Sequence, residues 1–293
     1  MTRRSKERIA FEVFLYPFLV VVGLICLYPV WEVFVTSILP YGDYLSSTIH
    51  LVPTSFTTTA YEIIFRQPNV VGSLLNSVYI TVFGTTLSLL VTIPAAYALS
   101  KSYLKGQRLF LFLAYFTVLF EGGIIPLYFV VKNLGMLNTL WALMIPQLIF
   151  TYYLIIMRAF FVSFPASLEE AARMEGYNDL RILVHIVVPL SKPVIAAIGL
   201  FYAVLRWNDF FQAMLFLSKR ELWPVQLLVH NLTSPDTDID PYGGSLALGP
   251  DKGVSAWSIN MAAVALAVVP IILVYPFIQK YFSKGILIGS LKE

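Results

Sequence analysis

Residues 164–193 read FPASLEEAARMEGYNDLRILVHIVVPLSKP and connect two strongly apolar segments. Ser167 and Glu170 have the spacing of a capping box, in which each side chain satisfies a backbone amide at a helix N-terminus. A short helix is therefore predicted to begin near Leu168, and Gly176 is expected to end it.

A second short helix is predicted to follow the first. Asn178 and Asp179 are both suited to cap its N-terminus. Pro189 lacks a backbone donor, so the helix is expected to stop near Val188. Residues 164–193 are therefore predicted to form a helix-turn-helix.

One face of the first predicted helix is shallow. Leu168, Ala171 and Ala172 have i, i+3, i+4 spacing and so share a face. Two alanines on that face allow another protein to approach closely. The face is predicted to dock a partner.

The rest of the chain is far more apolar than a soluble protein. Of its 293 residues, 58% are hydrophobic and 13% are charged, whereas soluble domains contain about 25% charged residues. The period-two alternation of a membrane barrel is absent, so helices are the remaining way to span a bilayer. The chain is predicted to be an all-α membrane protein, a single transmembrane domain over residues 1–293 with six helices. The apolar segments long enough to cross are 13–36, 72–99, 109–131, 139–161, 190–217 and 256–280.

The distribution of basic residues predicts the orientation of these helices. With a cytosolic N-terminus, fourteen Lys and Arg residues lie inside, five lie outside, and Arg206 lies within a span. This excess predicts that both termini are cytosolic. The loop of residues 164–193 is then cytosolic, as is the tail 281–293, and loops 39–71 and 218–255 face outward. The net charge of +3 reflects this topology and indicates no nucleic-acid partner.

Sequence motifs for catalysis and metal binding are missing. No glycine-rich loop ends in Gly-Lys-Ser/Thr, so the chain is predicted to bind no ATP of its own. Its three histidines are far apart in the sequence, without an HExxH motif. Asp236, Asp238 and Asp240 alternate like the start of a calcium loop, but Pro241 and Ala247 stand where that loop needs Gly and Glu. No metal site is predicted.

The third apolar segment contains helix-breaking residues. Glu121 begins the sequence Glu-Gly-Gly at residues 121–123, and Pro126 follows. A broken helix at membrane depth needs protein or a wet cavity beside its freed backbone, so this segment either lines a pathway or accommodates a close neighbour. Tyr128 and Tyr152 are further candidates for lining the pathway.

The fifth apolar segment carries Arg206, Trp207, Asn208 and Asp209 in sequence. Charges at bilayer depth need partners or water, and Arg206 and Asp209 have the i, i+3 spacing of a pair. One interpretation is a substrate-facing cluster, in which the indole ring stacks on a sugar and Asn208 and Asp209 bind its hydroxyls. The alternative is an internal ion pair that fixes helix packing.

Residues 170–189 resemble the EAA loop of ATP-binding-cassette importer permeases. The matching positions are Glu170, Ala171, Ala172, Gly176, Ile186 and Pro189, and only Val188 departs from the usual Leu. The whole chain is similar to carbohydrate permeases of the maltose-transporter class. Residues 120–126, 133–141 and 275–292 resemble a subgroup that imports oligosaccharides released from complex polysaccharides.

The resemblance implies one half of a permease pair in a prokaryotic cell membrane, working by alternating access. Its implied partners are a homologous second permease chain, two ATPase subunits that bind ATP and Mg²⁺, an extracytoplasmic solute-binding protein, the oligosaccharide and membrane lipid. The helix in the loop is implied to seat in an ATPase groove. Glu170 would orient it, Ala171 and Ala172 would allow close seating, and Gly176 would permit the turn. Glu175, Ile186 and Pro189 complete the implied coupling residues, and the tail 281–293 is implied to reach the ATPase interface.

Several alternatives remain open at the level of sequence. The solute could be an acidic or a neutral oligosaccharide, or a peptide, and Arg206 would suit a carboxylate. An ion channel or an ion-coupled carrier is the alternative class. Carriers usually show matching interrupted helices in both halves, and the two halves of this chain, divided near Asn138, show no such correspondence.

Overall fold

A computed structural model of the chain describes residues 6–46, 52–53, 55–234 and 255–289, and these residues form helices and connections without a β-strand. The helices in chain order are α1 (Lys6–Ser37), α2 (Tyr41–Ser46), α3 (Thr59–Arg66), α4 (Val70–Ser100), α5 (Gln107–Leu119), α6 (Ile124–Asn133), α7 (Trp141–Met144), α8 (Thr151–Val162), α9 (Ala166–Met174), α10 (Asp179–Leu190), α11 (Lys192–Trp207), α12 (Phe211–Phe216), α13 (Val225–Thr233) and α14 (Ala256–Gly289). The all-α class is confirmed.

The chain divides into two compact units. One combines Met1–Pro68 with Asn231–Val269, and within it the hydroxyls of Ser37 and Tyr61 lie 2.8 Å apart. The other combines Asn69–His230 with Pro270–Glu293 and carries every candidate site residue. A single permease domain over residues 1–293 stays a prediction.

Between three and six membrane spans fit the described helices. Three helices are long and apolar enough by themselves, with apolar stretches Phe11–Ser37, Val70–Ser100 and Ala256–Pro276. Three further pairs qualify only if each bent pair counts as one span: α5 with α6, α8 with α9, and α10 with α11.

The predicted break in the third apolar segment is confirmed. Helix α5 ends at Leu119, α6 begins at Ile124, and the two axes differ by 118°. Gly123 adopts φ = +84° at this corner, a conformation that only glycine adopts readily.

The fourth apolar segment is not the continuous helix that its composition predicts. Helix α7 stops at Met144, α8 starts at Thr151, and residues 145–150 between them are not helical. Pro146 lies in this gap, where its missing amide and its ring prevent the helix from continuing. We call residues 145–150 the break.

The fifth apolar segment also differs from its prediction as one helix over residues 190–217. Helix α11 ends at Trp207 and α12 starts at Phe211. The Asp209 carboxylate accepts a hydrogen bond of 3.1 Å from the amide of Gln212. This bond stabilises the start of a new helix and so favours the interruption.

Helix α4 lies at the centre of its unit and packs against both α8 and α11. The buried core that these helices share with α9 and α10 contains Ala96, Tyr97, Leu99, Leu154, Met157, Phe161, Ala172, Ile182, Leu183, Val187, Ile198 and Tyr202. The helix that follows residue 164 is therefore part of the main core and not a separate appendage.

The C-terminal helix is longer than predicted. Helix α14 continues to Gly289, so part of the predicted tail 281–293 is helical. Residues 290–293 lie outside the described residues, as do Asp236, Asp238 and Asp240.

Candidate functional site

The start of α9 differs from the capping-box prediction. The helix begins at Ala166 with Pro165 at the N-cap, and no side chain caps it. Ser167 lies inside the first turn, where its backbone is helical. An N-cap residue needs an extended backbone, so Ser167 and Glu170 do not form the predicted box.

The end of α9 is confirmed at Gly176. This glycine has φ = +84°, its amide donates to the Arg173 carbonyl at 2.9 Å, and the Tyr177 amide donates to the Ala172 carbonyl at 3.0 Å. These two bonds form a Schellman motif, which satisfies carbonyls at the helix end. The motif requires the left-handed conformation that glycine supplies without strain.

Helix α10 starts as predicted but ends later. The Asn178 side chain accepts a hydrogen bond of 2.9 Å from the Arg181 amide, so Asn178 is the cap. The helix passes Pro189 and ends at Leu190. Residues Leu183–Val187 form a π-helix, so Pro189 falls in the first turn of a new segment, where a missing amide breaks no bond.

The structure divides the face that was predicted to dock a partner. Ala172 is 4% exposed and belongs to the core, so the prediction that it lies on an open docking face is wrong. Leu168 and Ala171 are exposed, and Met174, one turn after Ala171, is 89% exposed. Glu170 is exposed beside them. We define the outer face of α9 as Ala171, Met174 and Glu170.

The opposite face of α9 is fastened to the segment that follows α4. Lys101 forms an ion pair with Glu169. Arg173 donates to the Tyr103 hydroxyl at 2.7 Å and to Asp179 at 2.6 Å, and Tyr103 donates to Asp179 at 3.0 Å. Burial, followed by the bond to Asp179, raises the pKa of Tyr103 above its ordinary value, and the bond to Tyr103 raises the pKa of Arg173.

The remaining coupling candidates lie around this helix pair. Glu175 and Gly176 are exposed, Ile186 is half-buried against the core, and Pro189 is exposed. The sequence reasoning missed Lys101 and Tyr103, because their partners lie 68 and 70 residues further along the chain and no local spacing connects them.

The three pathway candidates of the fifth segment differ in exposure. Trp207 is buried at 8% exposure, Asp209 is half-buried, and Asn208 is exposed. The Asn208 amide donates to the Val204 carbonyl of its own helix at 3.0 Å. A shallow depression of about 200 Å³, counting space open to solvent, is lined by Ile80, Leu143, Arg206, Asp209 and Pro224.

The predicted pair of Arg206 and Asp209 is not formed, because no ion pair joins these two described residues. Arg206 is 4% exposed, and its guanidinium donates to the carbonyls of Leu143, Met144 and Gln147 at 2.9, 3.2 and 3.2 Å. It also donates to the Ser88 hydroxyl at 2.7 Å. Its two terminal nitrogens therefore bind protein groups, while its Nε is buried without a hydrogen-bond partner among the described residues.

Of the six pathway candidates, Asp209 alone lines this depression. Glu121 is exposed in the turn between α5 and α6. Tyr128 is half-buried and stacks on Phe216 with ring centroids 6.5 Å apart, and Tyr152 is 58% exposed. Within the described ranges, no group of three or more His, Cys, Asp or Glu residues is placed to hold a metal ion.

Comparison with known proteins identifies the family. Residues 63–288 match the family described as the binding-protein-dependent transport system inner membrane component. The polygalacturonan/rhamnogalacturonan transport system permease protein YtcP of Bacillus subtilis (strain 168) is 42% identical over 282 residues, which cover 96% of this chain and 98% of that protein. The arabinooligosaccharides transport system permease protein AraQ of Halalkalibacterium halodurans is 25% identical over 92% of this chain and 93% of its own length.

A solved structure shows the same fold. The crystal structure of a bacterial ABC transporter involved in the import of the acidic polysaccharide alginate contains a chain with a TM-score of 0.88 and 33% identity, covering 96% of this chain and 100% of that one. Members of the family are inner-membrane transport subunits, and ATP hydrolysis belongs to separate ATPase subunits. The chain therefore belongs to the family of binding-protein-dependent transport system inner membrane components and is a permease subunit of an ATP-binding-cassette importer.

Proposed function

We propose that the chain imports oligosaccharides that carry uronic acids, as one of two transmembrane subunits in an alternating-access transporter. The supporting observation is the 42% identity, over 96% of the chain, to a permease named for polygalacturonan and rhamnogalacturonan transport. The fold shared with a transporter of acidic alginate supports the same class of solute. The partners would be a homologous permease chain, two ATPase subunits and a solute-binding protein.

In this proposal, α9 is the coupling helix and its outer face seats in a groove of the ATPase. An exposed alanine in the middle of that face permits close approach, and the adjacent Met174 offers a flexible apolar contact. Gly176 turns the chain into α10, which leads to α11 after a bend of 84°. Movement of α9 would therefore reach the end of α11, where Trp207, Asn208 and Asp209 lie.

The proposed orientation places α9 and both termini in the cytosol. The excess of Lys and Arg on that side supports it. An ATPase can reach α9 only from the cytosol, so the coupling proposal requires this orientation.

The carboxylate of the solute is not assigned to Arg206. All its described hydrogen bonds go to Ser88 and to three backbone carbonyls. Asn208 and Asp209, which are more exposed, are proposed to contact hydroxyls. The acidic character of the substrate therefore rests on the relatives and not on this arginine.

The decisive experiment reconstitutes the chain in liposomes with its partner permease, ATPase and binding protein. ATP hydrolysis is measured with oligogalacturonides, with alginate oligomers, and with neutral arabino- and malto-oligosaccharides. Stimulation by the acidic oligomers alone is expected. Stimulation by neutral oligomers alone would overturn the acidic assignment, and solute flux without ATP would overturn the coupling mechanism.

A further inference from the structure

Three backbone carbonyls at the start of the break accept hydrogen bonds from a single buried cation. The last carbonyls of a helix have no partner within it. Those of Leu143 and Met144 at the end of α7, and that of Gln147 in the break, accept hydrogen bonds from Arg206. A planar guanidinium with several donors is suited to reach three oxygens at once.

The amide end of the break is satisfied by a buried hydroxyl. The amide of Phe150, which precedes α8, donates to the Tyr202 hydroxyl at 3.0 Å. The same hydroxyl lies 2.9 Å from that of Thr92. Both ends of the break are thus closed by side chains of α11, each supported by a hydroxyl of α4.

The four side chains form a regular arrangement. Tyr202 and Arg206 are four residues apart on α11, and Ser88 and Thr92 are four residues apart on α4, so each pair lies on one helix face. Ser88, Thr92 and Tyr202 are fully buried, and Arg206 is 4% exposed. We call these four residues the polar clamp.

Gly84 provides the space for this arrangement. A Cβ at this position would lie 2.7 Å from Cδ and Nε of Arg206, closer than atoms in contact allow. The guanidinium therefore lies directly against the backbone of α4. The arginine has no carboxylate partner among the described residues, and its hydrogen bonds go to three backbone carbonyls and to the Ser88 hydroxyl.

An unwound segment at membrane depth needs such support. In lipid each unpaired backbone group is costly, so a break persists only where other groups satisfy it. Tyr202 and Arg206 of the polar clamp supply these groups from α11, the helix that ends in Trp207, one residue after Arg206. The position of the break and the position of the pathway candidates are therefore fixed together.

We propose that Ser88, Thr92, Tyr202 and Arg206 are positioning residues that keep residues 145–150 unwound and thereby hold the pathway end of α11. The structural half of this proposal stands on the hydrogen bonds alone. The effect on substrate handling rests on the proposed function. The two halves are tested by separate measurements.

The structural half is tested by hydrogen exchange on the chain purified in detergent. Tyr202→Phe removes one hydroxyl and keeps the buried ring, so exchange in peptides covering residues 145–152 is expected to accelerate about tenfold. Tyr153→Phe is the matched control, because its ring packs against the same core and its hydroxyl makes no hydrogen bond within the described part of the chain. Unchanged exchange in Tyr202→Phe would overturn the proposal.

A double-substitution cycle distinguishes the loss of one shared hydrogen bond from a general loosening of the fold. If Tyr202 and Thr92 act through one bond, adding Thr92→Val to Tyr202→Phe is expected to change exchange little beyond Tyr202→Phe alone. Fully additive effects would show that the two hydroxyls act independently and would contradict the clamp.

The functional half is measured in the reconstituted transporter with oligogalacturonides as probe. Tyr202→Phe is expected to raise the apparent KM severalfold with basal ATP hydrolysis unchanged, and Tyr153→Phe to change neither. A lower maximal rate with an unaltered KM would mean that the substitution only reduces the amount of folded protein. That result would overturn the positioning role. Failure of every sugar to stimulate the wild-type complex would refute the proposed function, while the exchange result would stand.

Discussion

Single residues in this protein take their roles from what lies within a few ångströms, and Gly84 shows this clearly. It lies inside α4, a position where alanine ordinarily favours the helix by about 1 kcal/mol. The Arg206 side chain occupies the space that a Cβ would need. The steric cost of placing a methyl group against Arg206 opposes the gain in helix propensity from alanine. At this site the steric cost is expected to be the larger of the two.

Gly84→Ala is therefore expected to destabilise the protein by about 1–3 kcal/mol, the usual cost of overpacking. Gly72→Ala is the matched control, because Gly72 lies in the same helix with nothing within 4 Å of its added Cβ, and it is expected to be neutral or slightly stabilising. Thermal unfolding of the purified chain measures both variants. Equal melting temperatures would contradict the observed placement of the guanidinium.

Gly176 acts through its backbone and not through space. No atom lies within 4 Å of an added Cβ, yet its φ of +84° disfavours any other residue. Gly176→Ala is expected to cost about 1–2 kcal/mol and to loosen the turn from α9 to α10. Protease sensitivity between residues 174 and 180 should rise, whereas Gly122→Ala, in open space without a positive φ, should leave this region unchanged.

At the scale of elements, α9 is held on one side and open on the other. Lys101 and Glu169, each 12% exposed, join it to the end of α4, and Arg173 joins it to Tyr103 and Asp179. A short helix of this kind is marginal by itself. Its orientation therefore depends on these contacts and on the buried Ala172.

Exchange of the charges tests this attachment. Lys101→Glu places two carboxylates together and is expected to lower solute-stimulated ATP hydrolysis severalfold, because α9 is no longer held in place. Combining Lys101→Glu with Glu169→Lys restores the opposite charges and is expected to recover most of the activity. Failure of the double variant to improve on the single one would show that the pair does not position α9.

At the scale of the whole molecule, the outer face of α9 is the surface that the proposed function assigns to the ATPase. Its residues are exposed while the same helix buries Ala172. This difference in exposure between Met174 and Ala172 can be used to test two things: whether α9 contacts the ATPase, and on which side of the membrane it lies. The single native cysteine, Cys26, is removed first.

Met174→Cys is expected to cross-link to the ATPase and to react with a membrane-impermeant maleimide only from the cytosolic side. Ala172→Cys, 4% exposed, is expected to do neither. Labelling of Met174→Cys from the outside would reverse the proposed topology. Cytosolic labelling without any cross-link would separate a correct topology from a wrong docking surface.

The sequence by itself determined the helical class, the apolar segments and the residues that start, end or interrupt individual helices. Gly176, Asn178 and the turn at residues 121–123 act through backbone geometry within a few residues, so their positions could be predicted from neighbours alone. Burial was less predictable. Ala171 and Ala172 are the same residue type at adjacent positions, yet Ala171 is exposed and Ala172 lies in the core.

Only the tertiary structure decided the partners of Arg206, the break at residues 145–150 and the attachment of α9. Arg206 could be matched in sequence to the nearby Asp209, but its hydrogen bonds reach carbonyls 59 to 63 residues away and a hydroxyl 118 residues away. The physical reason is that a buried charge is satisfied by whatever polar groups the packed helices bring to it. Sequence spacing indicates such groups only within one helix, whereas packing brings them to Arg206 from α4, from α7 and from the break.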